Sequence, residues 1–354
     1  IYILDEFFEE IDPPSRMSIL SYLKDRGKTV LILSAKLLEV YQDYMDKIFL
    51  LSEGKISENT EGRFPGQGRL SGRGRLSGQG RLSGPLLVRA ENEGVAFRTP
   101  PDELIRSTEE NTGLLLEVED LSFRYSKHSD SGESPGFTLS VERFVLGRGE
   151  TVSLVGRNGS GKSTLGKIIS GLIVPEKGRI RIRTGSGLID ASPQLLNGTV
   201  AYMFQNPDLQ IFLPTLRDEL SFGLKRSGLS ETDIESKVLR AIELFELPGP
   251  DMPPTLMSYG ARKRLQAAVY HLLNRPLVIL DEADSGLSYN NFFDILSLFS
   301  QQKCAVIAIT HDIRLAKAIS NRIILMKQGR FLSTIERSRF DGVEKLMEQE
   351  DAEL

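Results

Sequence analysis

The sequence predicts an α/β protein whose main domain is a largely parallel sheet with helices on both faces. Two observations carry that expectation. From Leu114 onward, apolar strand candidates recur at Val152 to Val155, Ile180 to Ile182, Val200 to Phe204, Leu277 to Leu280, Ala305 to Ile309 and Ile323 to Met326, with helical patterns between them. That is the alternation of parallel strands and crossover helices. In addition, Gly156-Arg157-Asn158-Gly159-Ser160-Gly161-Lys162-Ser163 fits G-x-x-x-x-G-K-[ST] and lies between the strand candidate Thr151 to Val155 and a helix candidate running to Ser170. This strand-loop-helix context is the one a phosphate-binding loop requires.

The bulk composition narrows the classes. With 354 residues there is room for about two domains. A net charge of -4, from 44 basic and 48 acidic residues, argues against a generally basic nucleic-acid binder. The one cysteine, Cys304, opens an apolar run, so a packed thiol is expected and no disulfide framework exists; a cytoplasmic setting fits. No stretch approaches the roughly 18 to 20 consecutive apolar residues of a membrane-spanning helix, so a membrane role is expected to run through a partner. Ile1 to Leu4 reads as a strand already under way, and the start is expected to be a cut.

Between Gly66 and Gly84 the chain repeats the units GQGRLS, GRGRLS and GQGRLS without apolar periodicity, the mark of a flexible linker. Contact of its arginines with RNA or anionic lipid is the other reading. Asn206 to Arg275 has little strand character and contains a charged helical stretch, Glu231 to Leu247, which reads as a helical insertion.

The motifs point to nucleotide chemistry. The loop glycines let backbone N–H groups turn inward, the helix N-terminus adds partial positive charge, Lys162 reaches β- and γ-phosphates, and Ser163 can ligate Mg²⁺. Leu277 to Leu280 followed by Asp281 and Glu282 is a buried strand delivering two carboxylates to its C-terminal edge, where α/β sheets bind ligands. There Asp281 would hold Mg²⁺ through water and Glu282 would polarise an attacking water as general base. Met257-Ser258-Tyr259-Gly260-Ala261 precedes the helical stretch Arg262 to Leu273, placing the Ser258 hydroxyl and the glycine amide at a helix N-terminus suited to a second phosphate contact.

Taken in this order, the motifs from Leu114 to about Thr334 resemble an ABC-type ATPase domain. The resemblance implies a P-loop NTPase sheet with an antiparallel β subdomain and a signature-bearing helical insertion. It also implies ATP and Mg²⁺ as cofactors, and a second ABC ATPase domain as a head-to-tail partner whose serine-glycine signature closes on the nucleotide. By the same resemblance Tyr125 stacks on adenine, and Gly156, Asn158, Gly159, Ser160, Gly161, Lys162, Ser163 and Thr164 hold phosphates. Gln205 and His311 join Glu282 as catalytic residues, with Ser163, Gln205 and Asp281 toward the metal. Two positions depart from the family pattern: Ala261 ends the signature, and Ser288 in Ser285-Gly286-Leu287-Ser288 replaces the usual aspartate of the loop that couples two sites. His128 and His271 occupy no such place.

Phe204-Gln205-Asn206-Pro207-Asp208-Leu209-Gln210-Ile211-Phe212, followed by Arg217 to Leu224, looks like the corresponding stretch of energy-coupling-factor ATPases. These power uptake of vitamins and of cobalt or nickel ions, so the resemblance implies a peripheral subunit at the cytoplasmic face of the membrane, docked on an integral membrane partner, with no nucleic acid. A soluble ABC ATPase of translation or DNA maintenance and a catalytically impaired relic are the other readings.

The N-terminal part parallels the last third of the main domain. Leu4-Asp5-Glu6, the strand candidate Thr29 to Leu33 and Asp46 to Lys55 repeat Leu280-Asp281-Glu282, Cys304 to Ile309 and Asn321 to Arg330, while Ala35 stands at the place of His311. The expected division is a domain remnant at 1–58, a Gly/Arg-rich linker at 59–113, a complete ABC domain at 114–335 and a charged tail at 336–354. A piece of a tandem two-ATPase protein is the simplest account; a short gene product with a vestigial first half is the alternative.

Overall fold

The computed structural model describes residues 2–5, 18–19, 21–23, 30–34, 47–52, 55–58, 85–91, 113–125 and 137–343. The chain divides into two compact units, Ile1–Arg98 with Ser285–Asn291, and Thr99–Asp284 with Phe292–Leu354.

The larger unit is built on a six-stranded sheet. Its strands are β8 (Thr151–Val155), β11 (Val200–Met203), β12 (Leu277–Asp281), β13 (Ala305–Ile309), β14 (Arg322–Lys327) and β15 (Arg330–Glu336), in the order β11-β12-β13-β8-β14-β15. All pairings are parallel except β14 with β15. β8, β11, β12 and β13 are buried at every residue, which is why they read as continuous apolar runs instead of alternating ones. Helix α1 (Lys162–Ile169) packs its Leu165 and Ile168 against Leu154, Ile279 and Ile307 in one core cluster. Val155, Ile323 and Leu325 instead join Ala316, Phe340 and Val343 in another.

An antiparallel sheet of β6 (Leu114–Arg124), β7 (Thr138–Gly147), β9 (Lys177–Thr184) and β10 (Gly187–Asp190), in the order β10-β9-β6-β7, shares the first cluster through Leu116, Val118, Leu139 and Ile182. The strand expected at Ile180 to Ile182 therefore belongs here and not to the parallel sheet. Only Ile180 and Ile182 of β9 are buried, and its Arg179 and Arg181 pair with Glu119 and Glu117. The insertion is helical as expected, with α3 (Leu216–Phe222), α4 (Glu231–Leu244) and α5 (Tyr259–Leu273) following the short α2 (Pro193–Thr199). Two further helices, α6 (Tyr289–Gln301) and α7 (Ile313–Ile319), precede and follow β13.

The ordered core runs past the expected boundary at 335. A 3₁₀ segment, Arg337–Gly342, carries Phe340, and Phe340 and Val343 are buried, with Arg337 donating to the Ser320 carbonyl at 2.6 Å. Charge dominates the composition there, and the two apolar residues that anchor the segment are too few to show a period.

The smaller unit holds a five-stranded sheet ordered β1-β2-β5-β3-β4. Its strands are β1 (Tyr2–Asp5), β2 (Val30–Ser34), β3 (Lys47–Ser52), β4 (Lys55–Glu58) and β5 (Pro85–Glu91). β5 lies within the stretch expected to be linker and pairs in parallel with both β2 and β3. Its apolar run Leu86-Leu87-Val88 directly follows the Gly/Arg repeat, which masks it in composition. The repeat itself, Glu6, Ala35 and His128 lie outside the described residues.

Candidate nucleotide site

Every catalytic candidate sits at the C-terminal edge of the six-stranded sheet or on a segment leaving it. After β8 the chain turns through Gly156, where a Cβ would stand 2.2 Å from the Met326 carbonyl oxygen, so no side chain fits. Gly161, at φ 103°, holds a left-handed conformation that favours glycine, and a Cβ there would meet Phe137 at 2.8 Å. Gly161 is also the N-cap of α1. It offers no side-chain cap, and no acid lies in the first turn, so the N–H groups of Lys162, Ser163 and Thr164 keep the helix's positive end directed into the loop. Asn158 and Gly159 are exposed at the loop tip, while Ser160 is buried.

Lys162 is buried and its Nζ donates to the carbonyls of Gly156 at 2.6 Å and Arg157 at 3.0 Å. Burial pulls its pKa below the ordinary lysine value, against the opposing pull of Glu282 and Asp281. The Ser163 hydroxyl donates to Asp281 Oδ1 at 2.8 Å. Burial raises the Asp281 carboxyl above its usual range, and hydrogen bonds from Tyr202 and Ser163 work in the other direction. Both atoms are hard oxygen donors side by side, the chemistry that suits Mg²⁺.

Glu282 follows β12 in a left-handed conformation, φ 46°, with its N–H donating to the Ile309 carbonyl of β13 at 2.9 Å. That bond swings the carboxylate off the strand. Its Oε2 accepts from Gln205 Nε2 at 2.9 Å, and its Oε1 lies 3.9 Å from His311 Nδ1. Two residues expected from other strand ends, Gln205 and His311, are thus brought to the Glu282 carboxylate.

Tyr125 is 43% exposed and packs edge-on to Phe123, with ring centroids 4.8 Å apart, and its N–H donates to the Phe137 carbonyl. Phe137 is the residue under Gly161, so Tyr125 stands one ring away from the loop. Ser258 is exposed and caps α5, accepting from the Ala261 N–H at 3.3 Å. No contact of Ser258 or Gly260 with the phosphate loop of the same chain is present among the described residues. Tyr259, between them, donates to the Gln205 carbonyl at 2.9 Å and ties the signature turn to the glutamine segment. Ser288 Oγ accepts from the Asn291 N–H at the start of α6.

Several residues that hold the site escaped the sequence reading. The Tyr202 hydroxyl donates to Asp281 Oδ2 at 2.5 Å. Gln210 accepts from the Phe204 N–H and donates to the Tyr202 carbonyl, which also accepts from Tyr270. Lys263, fully buried on α5, places Nζ 3.4 Å from the Phe204 carbonyl and 3.5 Å from the Glu282 carbonyl. These side chains fasten the Gln205 segment to α5. Only the polar residues inside the apolar face of α5 signal them. His271 packs between Phe245 and Phe299, and burial lowers its pKa. Cys304 is buried and its pKa rises to about 11, an unreactive packed thiol.

The fold and this arrangement of loop and paired carboxylates define a P-loop ATPase of the ABC type, and comparison with known proteins agrees. The family described as ABC transporter matches residues 140–285. The energy-coupling factor transporter ATP-binding protein EcfA1 of Geobacillus kaustophilus is 34% identical over 224 residues, covering 62% of this chain and 77% of that protein. A Clostridium perfringens protein named as an ABC transporter ATP-binding protein is 27% identical over 361 residues, 93% of this chain and 61% of its own length. The structure of cbiO1 from Clostridium perfringens, described as part of the ABC transporter complex cbiONQ, superposes with a TM-score of 0.55 at 27% identity, covering 68% of this chain and 96% of that one. The chain belongs to the ABC transporter family. It spans about three fifths of the length of the relatives that match it nearly end to end.

Proposed function

We propose that the chain is an ATP-hydrolysing subunit of a membrane importer of the energy-coupling-factor type. One observation carries the hydrolytic part: Glu282 is held by Gln205 at 2.9 Å while the neighbouring Asp281 is held by Ser163 at 2.8 Å, beside an uncapped helix N-terminus and a buried lysine. In this reading Lys162 and the α1 amides bind the phosphates of ATP, and Tyr125 receives the adenine. Ser163 and Asp281, with Gln205 at the side, would hold Mg²⁺, which when bound neutralises phosphate charge. Glu282 then accepts a proton from the attacking water, positioned by Gln205 and His311. Ser258 and Gly260 serve the nucleotide of a facing ABC domain, since they make no contact with their own loop among the described residues.

The importer part rests on the run Phe204 to Phe212 and on the relatives named as energy-coupling-factor proteins. Residues 1–58 are read as the remnant of a first ABC domain, with the Gly/Arg repeat as a spacer. Among the described residues no helix is long and apolar enough to cross a membrane, so the proposed place is peripheral, at the cytoplasmic face on an integral partner. Copurification of the full chain from membranes, with identification of its partners and assay of ATP turnover, tests both parts. A multi-helix partner that stimulates turnover is expected. Intact ATP binding without any turnover would overturn the hydrolytic reading, and RNA or DNA retained through salt washing would overturn the importer.

A further inference from the structure

At the edge of the six-stranded sheet opposite the phosphate loop, where β12 and β13 begin, lies a cavity of about 320 Å³. Arg148, Arg183, Arg275 and Lys303 line it above an apolar floor of Leu115 and Pro276. No carboxylate lines it, and no described carboxylate pairs with any of the four cations, although Arg143, Arg179, Arg181 and Arg322 of the same unit all have acidic partners. Four like charges around one concavity repel one another, and a bound anion removes that cost.

The local helices explain only half of the cluster. Arg275 and Lys303 closely follow the C-termini of α5 and α6, where a cation is favoured. Arg148 and Arg183 arrive from the other sheet, at the end of β7 and within β9, where no helix ends. Two of the guanidinium groups are also fixed by backbone. Arg183 Nε donates to the Leu114 carbonyl at 2.6 Å and Arg275 to the Gly198 carbonyl, so each keeps further N–H donors in a set orientation. Gln302, also on the wall, is held by donating to the His271 carbonyl at 2.9 Å. At roughly 30 Å³ per water the cavity has room for about ten non-hydrogen atoms, the size of a diphosphate.

We propose that this cavity binds a phosphate-bearing anion of diphosphate size, at a site separate from the nucleotide loop. Fixed arginine forks match phosphate oxygens in pairs, and Lys303 adds a mobile charge at the rim. The phosphate could belong to a free metabolite or to a lipid headgroup, and the test separates the two.

Isothermal titration of inorganic pyrophosphate into the full Lys162→Ala chain reads the cavity with the phosphate loop disabled. One site is expected to remain, to weaken with salt, and to lose affinity about tenfold or more when Arg148→Ser and Lys303→Ser are added. Arg148 and Lys303 are exposed, so the melting temperature serves as a check on folding. Sedimentation with phosphatidylcholine vesicles, with and without phosphatidic acid, identifies the source: binding that needs phosphatidic acid and fails in the double variant assigns a headgroup, and absence of vesicle binding assigns a free phosphate compound. Pyrophosphate binding that vanishes with Lys162→Ala alone, or that is equal with and without Arg148 and Lys303, overturns the proposal.

Discussion

Tyr202 grips Asp281 from the side opposite Ser163: its hydroxyl donates to Oδ2 at 2.5 Å while Ser163 donates to Oδ1 at 2.8 Å. Burial and the adjacent carboxylate push the Tyr202 hydroxyl well above its ordinary pKa, so it remains a donor throughout the accessible pH range. Tyr202→Phe removes one of two donors from a buried acid. A loss of about 1–3 kcal/mol of stability is expected, together with a higher Mg²⁺ concentration for half-saturation. Thermal melting and calorimetric Mg²⁺ titration in the presence of ATP measure the two effects; an unchanged Mg²⁺ requirement would show that Tyr202 only packs.

Lys162 and Glu282 should separate binding from chemistry. Lys162→Ala is expected to abolish tight ATP binding, because the cation in the loop is lost. Glu282→Gln keeps the Gln205 contact within reach and should preserve binding while lowering turnover on the order of 10²-fold or more. Equal loss of ATP affinity in both variants would contradict these roles.

Phe212 and Phe222 pack edge to face, with centroids 5.6 Å apart, yet Phe212 is 69% and Phe222 50% exposed. Phe222 is therefore a surface ring of α3 and not a core residue. Phe212→Ala should change stability by less than about 1 kcal/mol, the scale of surface substitutions, but reduce turnover stimulated by a membrane partner more than basal turnover. Full stimulation in the folded variant would remove this pair from the docking surface.

Glu219 gives a pH test of the same region. It is buried and accepts from the N–H groups of Leu213 at 2.8 Å and Phe212 at 3.2 Å, and burial raises its pKa despite both bonds. The folded chain therefore holds this proton to higher pH than the unfolded chain does. The resulting stability is complete below the ordinary carboxylate range and is lost as pH rises through the raised value. Glu219→Gln keeps an acceptor and carries no such proton, so its melting temperature should gain on that of the parent as pH rises above the ordinary carboxylate range and through the raised value. A constant difference would refute the assignment.

Mixed dimers test whether ATP sites form between chains. Lys162→Ala and Ser258→Arg chains should each be inactive alone. Their mixture retains one intact Lys162 opposite one intact Ser258, and partial recovery of ATPase rate is expected. Full activity of a strictly monomeric preparation at high dilution would rule the arrangement out.

The legible parts of the molecule were those with a local or periodic signature. β8, β12 and β13 are buried on both faces, so each is an unbroken apolar run, and the phosphate loop carries its glycines where sterics demand them. The contacts among Tyr202, Gln210, Lys263 and Tyr270 join segments far apart in sequence through single polar atoms, and such pairs leave no period. The basic cavity is hidden for the same reason, its four cations coming from four separate stretches of the chain. β5 was missed because three apolar residues beside a Gly/Arg repeat are weak evidence until β2 and β3 flank them.

The left-handed backbone at Glu282 sets the proposed chemistry against local stability. A side-chain-bearing residue in that conformation costs roughly 1–2 kcal/mol that glycine would not. Glycine at 282 would relieve that strain and forfeit the carboxylate that faces Gln205 and His311. Under the proposed role of Glu282 as general base, backbone strain is accepted at this position in exchange for a held carboxylate.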